Sequence, residues 1–407
     1  MILQQPYFKL MHLQRVKFKD IEQIPHIQLN KDFKKDFQGS APAPFIGRFG
    51  YPKINIGLLS PQIQGDTSHY DAPKLWSQQN LPIGNIASLR YGLVNSRTQW
   101  NVEDAFKPSR FKDICQEVGM ASKPVELEVN LKEKPQLQLK QEKEIMPFGP
   151  QAEMQKAQIT ANVKVDSRVE KAVRDTDLKA AEAILSLYKK GFEENILTKL
   201  ISVGNLGLGK NRKLVPTRWS ITAVDDTLGK KIILEVKDFQ IGEYHAYFGG
   251  GWGNYYLLLF FPQVWSYELF ETYIDYKVNP WSKAGHFYST DYEGYEGRKE
   301  YAEETAGGYY ACRIGILEKM KEVKRQHSCL ALRFISSEYN VPLGVWVCRE
   351  ATRKSLQEQP LSFGSQELML QYATELIKRK FGFEIDVLLN ESKLLKEKKE
   401  QRKLDQF

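Results

Sequence analysis

The chain has 407 residues, of which 42% are hydrophobic and 27% are charged, and its formal net charge is +8. These proportions are typical of a globular protein, and no window approaches the ~20 apolar residues of a membrane-spanning helix. The N-terminal segment has no secretion signal, and the four cysteines form no CxxC pair, which argues against a zinc ribbon. We therefore expect a cytoplasmic protein without membrane contact, whose basic charge suits a nucleic-acid partner without establishing one.

Glycine and proline recur through the first 120 residues, as in "GSAPAPFIGRFGYPKINIG" (39–57). Such residues break helices and favour tight turns joined by short extended segments. The aromatic and aliphatic residues between them are too numerous for a disordered segment. We predict an ordered, loop-rich N-terminal layer over 1–120 that packs on the rest of the protein.

A connection rich in glutamine, lysine and glutamate follows over 121–160. Part of it, "VELEVNLKEKPQLQLK" (125–140), alternates between apolar and polar residues, as one or two half-exposed strands do. This composition predicts the boundary between an N-terminal and a C-terminal region.

Helical and strand patterns are mixed over 161–390, and "DDTLG" (225–229) and "GGGWGN" (249–254) predict turns between strands. Strands in a group, followed by returning helices, favour the α+β class, with a mixed C-terminal part beneath the N-terminal layer. A charged tail at 391–407, disordered or helical, completes the chain. The periodicity predicts helices at 175–192, 193–204, 309–325 and 365–382, and strands at 217–224, 230–239, 242–248, 255–262, 329–336 and 343–350.

The charged tail contains Gln401, Leu404 and Phe407 at spacings of three. A peptide that closes one 3₁₀ turn places its aliphatic and aromatic residues on the same side, as an apolar plug. That arrangement is the shape of a sliding-clamp ligand, in which the glutamine enters a pocket of its own. The alternative is the frayed, solvated end of a helix. A second match at 366–372 lies within the last predicted helix, where its residues are more simply explained as helix positions.

Four long blocks of the sequence resemble the archaeal Nre family, of the NreA type that lacks an N-terminal zinc finger. They are "SAPAPFIGRFGYPKINIG" (40–57), "DTDLKAAEAI" (175–184), "LVPTRWSITAVDDTLG" (214–229) and "ETAGGYYACRIGILEKM" (304–320). The resemblance covers almost the whole chain and implies a DNA-repair protein that binds the sliding clamp PCNA.

Carried over from that family, Gln401, Leu404 and Phe407 are the clamp contacts. Many clamp peptides have two adjacent aromatic residues, so Phe407 alone predicts weaker binding. We expect a repair factor that PCNA recruits to DNA, with "KLLKEKKE" (393–400) as a flexible spacer that raises its effective concentration there.

A metal-dependent nuclease is the alternative function. Asp225 and Asp226 end a predicted strand, and His245 follows two strands later. Paired carboxylates at a strand end would hold Mg²⁺ for phosphodiester hydrolysis. The same two residues also suit a hairpin turn, in which aspartate accepts backbone hydrogen bonds. Apart from magnesium in that alternative, we expect no cofactor and no metal site.

Basic residues beside glycine or asparagine in loops reach phosphate groups. Tryptophans, here Trp219 or Trp252, offer rings on which a base would stack. Each of these residues has a plainer alternative as a solvated charge or a core aromatic. The basic candidates for DNA contact are Arg48, Lys210, Arg212, Lys213 and Arg218.

Overall fold

The structure is a computed structural model that describes residues 14–15, 32–102, 108–136, 144–275 and 287–400. The strands within these ranges are β1 (Gln14–Arg15), β2 (Asp36–Ala41), β3 (Ala43–Ile46), β4 (Lys53–Ser60), β5 (Val94–Asn101), β6 (Val125–Leu131), β7 (Gln151–Ile159), β8 (Tyr244–Gly251), β9 (Asn254–Phe261), β10 (Ser266–Tyr273), β11 (Phe287–Glu293), β12 (Ser328–Ile335) and β13 (Leu361–Phe363). The α-helices are α1 (Pro73–Gln78), α2 (Ile83–Tyr91), α3 (Arg110–Met120), α4 (Ser167–Arg174), α5 (Ala180–Lys189), α6 (Glu194–Ser202), α7 (Thr217–Val236), α8 (Gly307–Val323), α9 (Trp346–Gln357), α10 (Gln366–Phe381), α11 (Asp386–Glu391) and α12 (Lys393–Glu400).

The chain divides into two compact units. The N-terminal unit comprises Pro25–Gly229 and Val341–Trp346, and the C-terminal unit comprises Met1–Ile24, Lys230–Asn340 and Val347–Phe407. Each unit contains one mixed sheet together with helices, so the predicted α+β class is confirmed. None of the helices in the described ranges has the length and apolar character needed to cross a membrane.

The sheet of the N-terminal unit has six strands in the order β2-β6-β7-β5-β4-β3. Only β5 and β7 run parallel; the other neighbours are antiparallel. Because side chains alternate across a strand, Ile54, Ile56 and Leu58 enter a core that also contains residues of α3. Asn55 and Gly57 occupy the opposite face, which carries polar side chains. The connection predicted at 121–160 contributes β6 and β7 to this sheet.

The sheet of the C-terminal unit has seven strands in the order β1-β11-β10-β12-β9-β8-β13. Every residue of the central strand β12 is buried, as expected for a strand that is covered on both faces. One face packs on α10, α11 and α12 through an apolar cluster that includes Phe334, Met369 and Leu394. The last helices of the chain therefore belong to the core of this unit.

The two strands predicted at 217–224 and 230–239 are wrong, because α7 runs through both and through the predicted turn between them. Ser220, Val224 and Leu228 are buried at a spacing of four, which is the period of a helix. The isoleucines, threonines and valines of the segment suggested strands, and Gly229 suggested a turn. The four-residue spacing of these buried positions, which the structure shows, is what identifies the helix.

The strand predicted at 343–350 is also wrong, because α9 begins at Trp346. The segment is buried on all sides, so its hydrophobic pattern has no period that distinguishes helix from strand. The N-terminal layer likewise contains three helices, α1 to α3, besides the extended segments that were expected. The helices predicted at 193–204, 309–325 and 365–382 are confirmed as α6, α8 and α10.

Candidate functional site

An exposed aromatic turn of six residues, 47–52, joins β3 to β4. Gly50 has a φ of +84°, a conformation that glycine adopts readily, and its carbonyl accepts a hydrogen bond from the Lys53 amide at 2.9 Å. The tight closure leaves Phe49 and Tyr51 outside, with 65% and 53% of their surfaces exposed. Contiguous exposed apolar surface of this kind marks an interaction site.

Trp219, in the first turn of α7, extends this surface. Its ring centroid lies 5.2 Å from that of Tyr51, and 44% of its surface is exposed. The Thr217 hydroxyl accepts a hydrogen bond from the Ile46 amide at 3.0 Å, which fixes the start of α7 against the edge strand β3. Two segments far apart in the sequence thus form one surface. We call Phe49, Tyr51 and Trp219 the aromatic platform.

Two of the predicted DNA-contacting arginines lie beside the aromatic platform. The guanidinium carbon of Arg48 is 4.5 Å from the centroid of the Phe49 ring, a favourable cation–π arrangement. Arg218 forms an ion pair with the buried carboxylate of Glu144. The charge of Arg218 therefore pairs within the fold next to Trp219, whereas the charge of Arg48 lies over the Phe49 ring of the platform.

The other three basic candidates occupy one loop of the N-terminal unit. Arg212 donates hydrogen bonds to the carbonyl oxygens of Gly207 at 2.8 Å and Asp175 at 2.9 Å, and burial lowers its pKa. The side chain of Arg212 therefore holds the backbone of this loop in place. Lys210 and Lys213 are exposed in the same loop, and their contact with DNA stays a prediction.

The structural premise of the magnesium site is wrong. Asp225 and Asp226 lie in the middle of α7 and not at a strand end, and adjacent helix positions point about 100° apart. Asp225 is fully buried. His245 lies on β8 of the C-terminal unit, where its Nδ1 is 3.1 Å from the Ser362 hydroxyl and burial lowers its pKa. No three metal-ligating side chains gather in the described part of the chain, so the nuclease role stays an untested hypothesis.

Glu268, on β10, holds the last described helix. Its carboxylate accepts hydrogen bonds from the Ser392 hydroxyl at 2.6 Å and from the amides of Lys393 and Leu394 at 3.0 Å each. The free N–H groups and the dipole of a helix N-terminus favour an anion at this position. Burial raises the pKa of the Glu268 carboxyl, and the hydrogen bond from Ser392 opposes that rise.

The expectation of a flexible spacer at 393–400 is wrong, because these residues form the docked helix α12. Leu394 and Leu395 are buried in the core of the C-terminal unit. The Lys398 ammonium lies 3.7 Å from the centroid of the Phe261 ring. The charged residues of the segment suggested a solvated run, but two leucines and one buried carboxylate are enough to dock it.

The two clamp-like matches differ in their surroundings. The match at 366–372 lies in α10, where Met369 is completely buried, so these residues are helix positions as expected. Gln401, Leu404 and Phe407 lie outside the described residues. Their contact with a sliding clamp therefore stays a prediction.

Comparison with known proteins covers both units. A model of the archaeal Nre N-terminal region matches residues 16–281, and one of the C-terminal region matches 293–407. The DNA repair protein NreB of Archaeoglobus fulgidus is 35% identical over 352 residues, which cover 86% of this chain and 87% of that protein. The DNA repair protein NreA of Haloferax volcanii is 36% identical over 349 residues, which cover 82% of this chain and 83% of that protein. No solved structure matches.

Sequence reasoning identified Arg48 and Trp219 separately, but not Phe49 or Tyr51, nor the role of Glu268. The signal for Phe49 and Tyr51 was their place in a short segment with the turn-forming residues Gly47, Gly50 and Pro52. Glu268 had no such signal, since the sequence does not distinguish a buried carboxylate in a strand from one on the exposed face of that strand. With its family blocks placed on the two units and matched by both family models, the chain belongs to the archaeal Nre family.

Proposed function

We propose that this protein is a DNA-repair factor that the sliding clamp PCNA recruits to DNA through Gln401, Leu404 and Phe407. Its relatives from Archaeoglobus fulgidus and Haloferax volcanii carry the name DNA repair protein, which supports the repair role. The spacing of the three residues supports the clamp role, since it suits a 3₁₀ plug with a separate glutamine pocket.

The observation that carries the proposal is the position of the motif directly after α12. Glu268 and the buried Leu394 hold this helix on the seven-stranded sheet up to Glu400. The motif therefore starts at a fixed point of the C-terminal unit. A clamp that binds the motif holds the whole protein close to the DNA, because a short connection gives a high effective concentration.

Calorimetric titration of PCNA with the full-length protein tests this proposal. We expect a dissociation constant on the order of micromolar, equivalent to about −8 kcal/mol, because the motif has a single aromatic plug. Phe407→Ala removes that plug and should abolish measurable binding. Lys403→Ala, in the same segment but between the motif positions, is the matched control and should bind as the unchanged protein does. If Phe407→Ala bound PCNA as tightly as the unchanged protein does, the interface would lie elsewhere and the assignment of the clamp contacts to this motif would be refuted.

A further inference from the structure

We propose that the N-terminal unit has a binding site for an unpaired nucleotide of single-stranded DNA. The site consists of a cavity on the polar face of the six-stranded sheet and the aromatic platform at its rim. The choice of DNA rests on the proposed repair function, whereas the recognition of an unpaired base rests on the cavity and the platform alone.

The cavity has a volume of about 860 Å³, within the range of pockets that hold small organic ligands. Its floor is formed by β4 and β5, where Gly57 is paired with Arg97. The missing side chain at Gly57 provides room for Asn95, because a Cβ there would lie 2.1 Å from the Asn95 Oδ1. Asn95 is 2% exposed, and its Oδ1 accepts no hydrogen bond from a described residue.

Amide side chains contribute to the polar lining of the cavity beside charged ones. Asn55, Asn95 and Gln151 line it, and the Gln151 amide oxygen accepts a hydrogen bond from Arg97. An amide group presents a donor and an acceptor side by side, which is the complement of a base edge. The Watson–Crick edge of a base is available only when the base is unpaired, and an enclosed cavity admits a base only when it lies outside a duplex.

Aromatic rings form the walls of the cavity. Phe45 and Phe148 lie with their ring centroids 4.7 Å apart, and Phe49 of the aromatic platform lines the same cavity. Aromatic side chains around a pocket stack on an inserted base. Phe49 therefore connects the interior of the cavity with the exposed rings of Tyr51 and Trp219, on which the neighbouring bases of a strand would stack.

Two lysines at the rim can contact the phosphate groups of the same strand. Lys132 and Lys134 line the cavity and are exposed, in ion pairs with Glu153 and Asp32, and the exposed Glu133 lies between them. Exposed ion pairs contribute only about 0–1 kcal/mol, so a phosphate displaces such a carboxylate at little cost. The amides inside the cavity bind the base, the rings of the wall stack on it, and the lysines at the rim contact the phosphate. The site thus has a group for each of these parts of one nucleotide.

Fluorescence anisotropy with a labelled single strand of about 12 nucleotides tests the proposal on the full-length protein. Loss of one stacking ring weakens single-strand binding by about 1–3 kcal/mol, so Trp219→Ala and Phe49→Ala should each raise the dissociation constant about 5- to 150-fold. Asn55→Ala should reduce the difference in affinity between single strands of different base. Tyr295→Ala is the matched control, since Tyr295 is an exposed aromatic residue of the C-terminal unit, and it should leave the affinity unchanged.

A fully paired duplex of the same sequence should bind more weakly than the single strand, and a duplex with one unpaired nucleotide should bind better than the fully paired one. The proposal would be overturned if all variants bound the single strand with equal affinity, or if Tyr295→Ala lost as much affinity as Trp219→Ala and Phe49→Ala. Tighter binding of the matching RNA strand would overturn the choice of DNA. Phe407→Ala should bind the single strand normally and Trp219→Ala should bind PCNA normally, so failure of the clamp role and failure of this site remain distinguishable.

Discussion

Replacement of Glu268 by glutamine should release α12 from the seven-stranded sheet. The carboxylate accepts hydrogen bonds from Ser392, Lys393 and Leu394, and a longer one from the Thr290 hydroxyl at 3.4 Å. Glutamine has almost the same shape but offers one acceptor oxygen and an NH₂ group, which faces donors. The change therefore removes the charge and at least one bond without opening a cavity.

The free energy of α12 docking that Glu268→Gln should remove follows from two opposing effects. A hydrogen bond to a charged group contributes about 1.5–3 kcal/mol, and a charge at a helix N-terminus adds about 0.3–1 kcal/mol. Burial raises the pKa of Glu268, which means that taking its charge out of water offsets part of this gain. We expect a net loss of about 2 kcal/mol in the docking of α12, equivalent to a ~30-fold increase in its opening equilibrium.

Hydrogen exchange of the full-length protein, followed for the amides of 393–400, is the assay. Their exchange should become ~30-fold faster in Glu268→Gln, because protection reports the opening equilibrium. Amides of β4, in the other unit, should keep their protection and thereby show that the chain remains folded. Glu391→Gln is the matched control: Glu391 is half exposed and pairs with Lys396 at 3.5 Å, so its loss should change exchange at most about twofold.

Unchanged protection of 393–400 in Glu268→Gln would refute this reasoning. It would mean that Leu394 and Leu395 dock the helix by themselves and that the buried carboxylate contributes nothing. Equal acceleration in Glu391→Gln would refute it as well, since the effect would then report charge near the helix and not the capping contact.

Two further predictions concern the C-terminal unit. Burial lowers the pKa of His327 to about 4, so the unfolded chain binds the proton first as the pH falls. About 3 kcal/mol of unfolding free energy should therefore be lost between pH ~6.5 and ~4. Urea titrations should show that His327→Phe removes this loss and that His69→Phe, at an exposed histidine, keeps it. Gly308→Ala would bring a Cβ within 2.4 Å of the Glu271 carboxylate and should lower the unfolding free energy by about 1–3 kcal/mol, whereas Gly364→Ala, with open space around it, should change it by at most about 0.5 kcal/mol in the same titration.

The sequence by itself determined the elements whose patterns are local. The apolar run at 255–262 and the run at 329–336 predicted β9 and β12, since a strand covered on both faces is apolar throughout. The segment at 365–382 predicted α10 because its apolar residues recur with the helical period, and the predicted helix at 309–325 is α8, which is buried on all sides over its first eleven residues. The family was also readable from the sequence, because its long blocks are specific without reference to any contact.

Only the tertiary structure decided the features that depend on distant neighbours. The segment 217–239 has residues that suit a strand, but burial along one side at intervals of four makes it a helix. Trp219 and Tyr51 form one surface because Thr217 bonds the edge strand at Ile46, a contact across 171 positions of the chain. The charged segment at 393–400 is docked because Glu268, far away in the sequence, accepts hydrogen bonds at its start. Periodicity shows which face of a segment is apolar, but the rest of the chain determines which element covers that face.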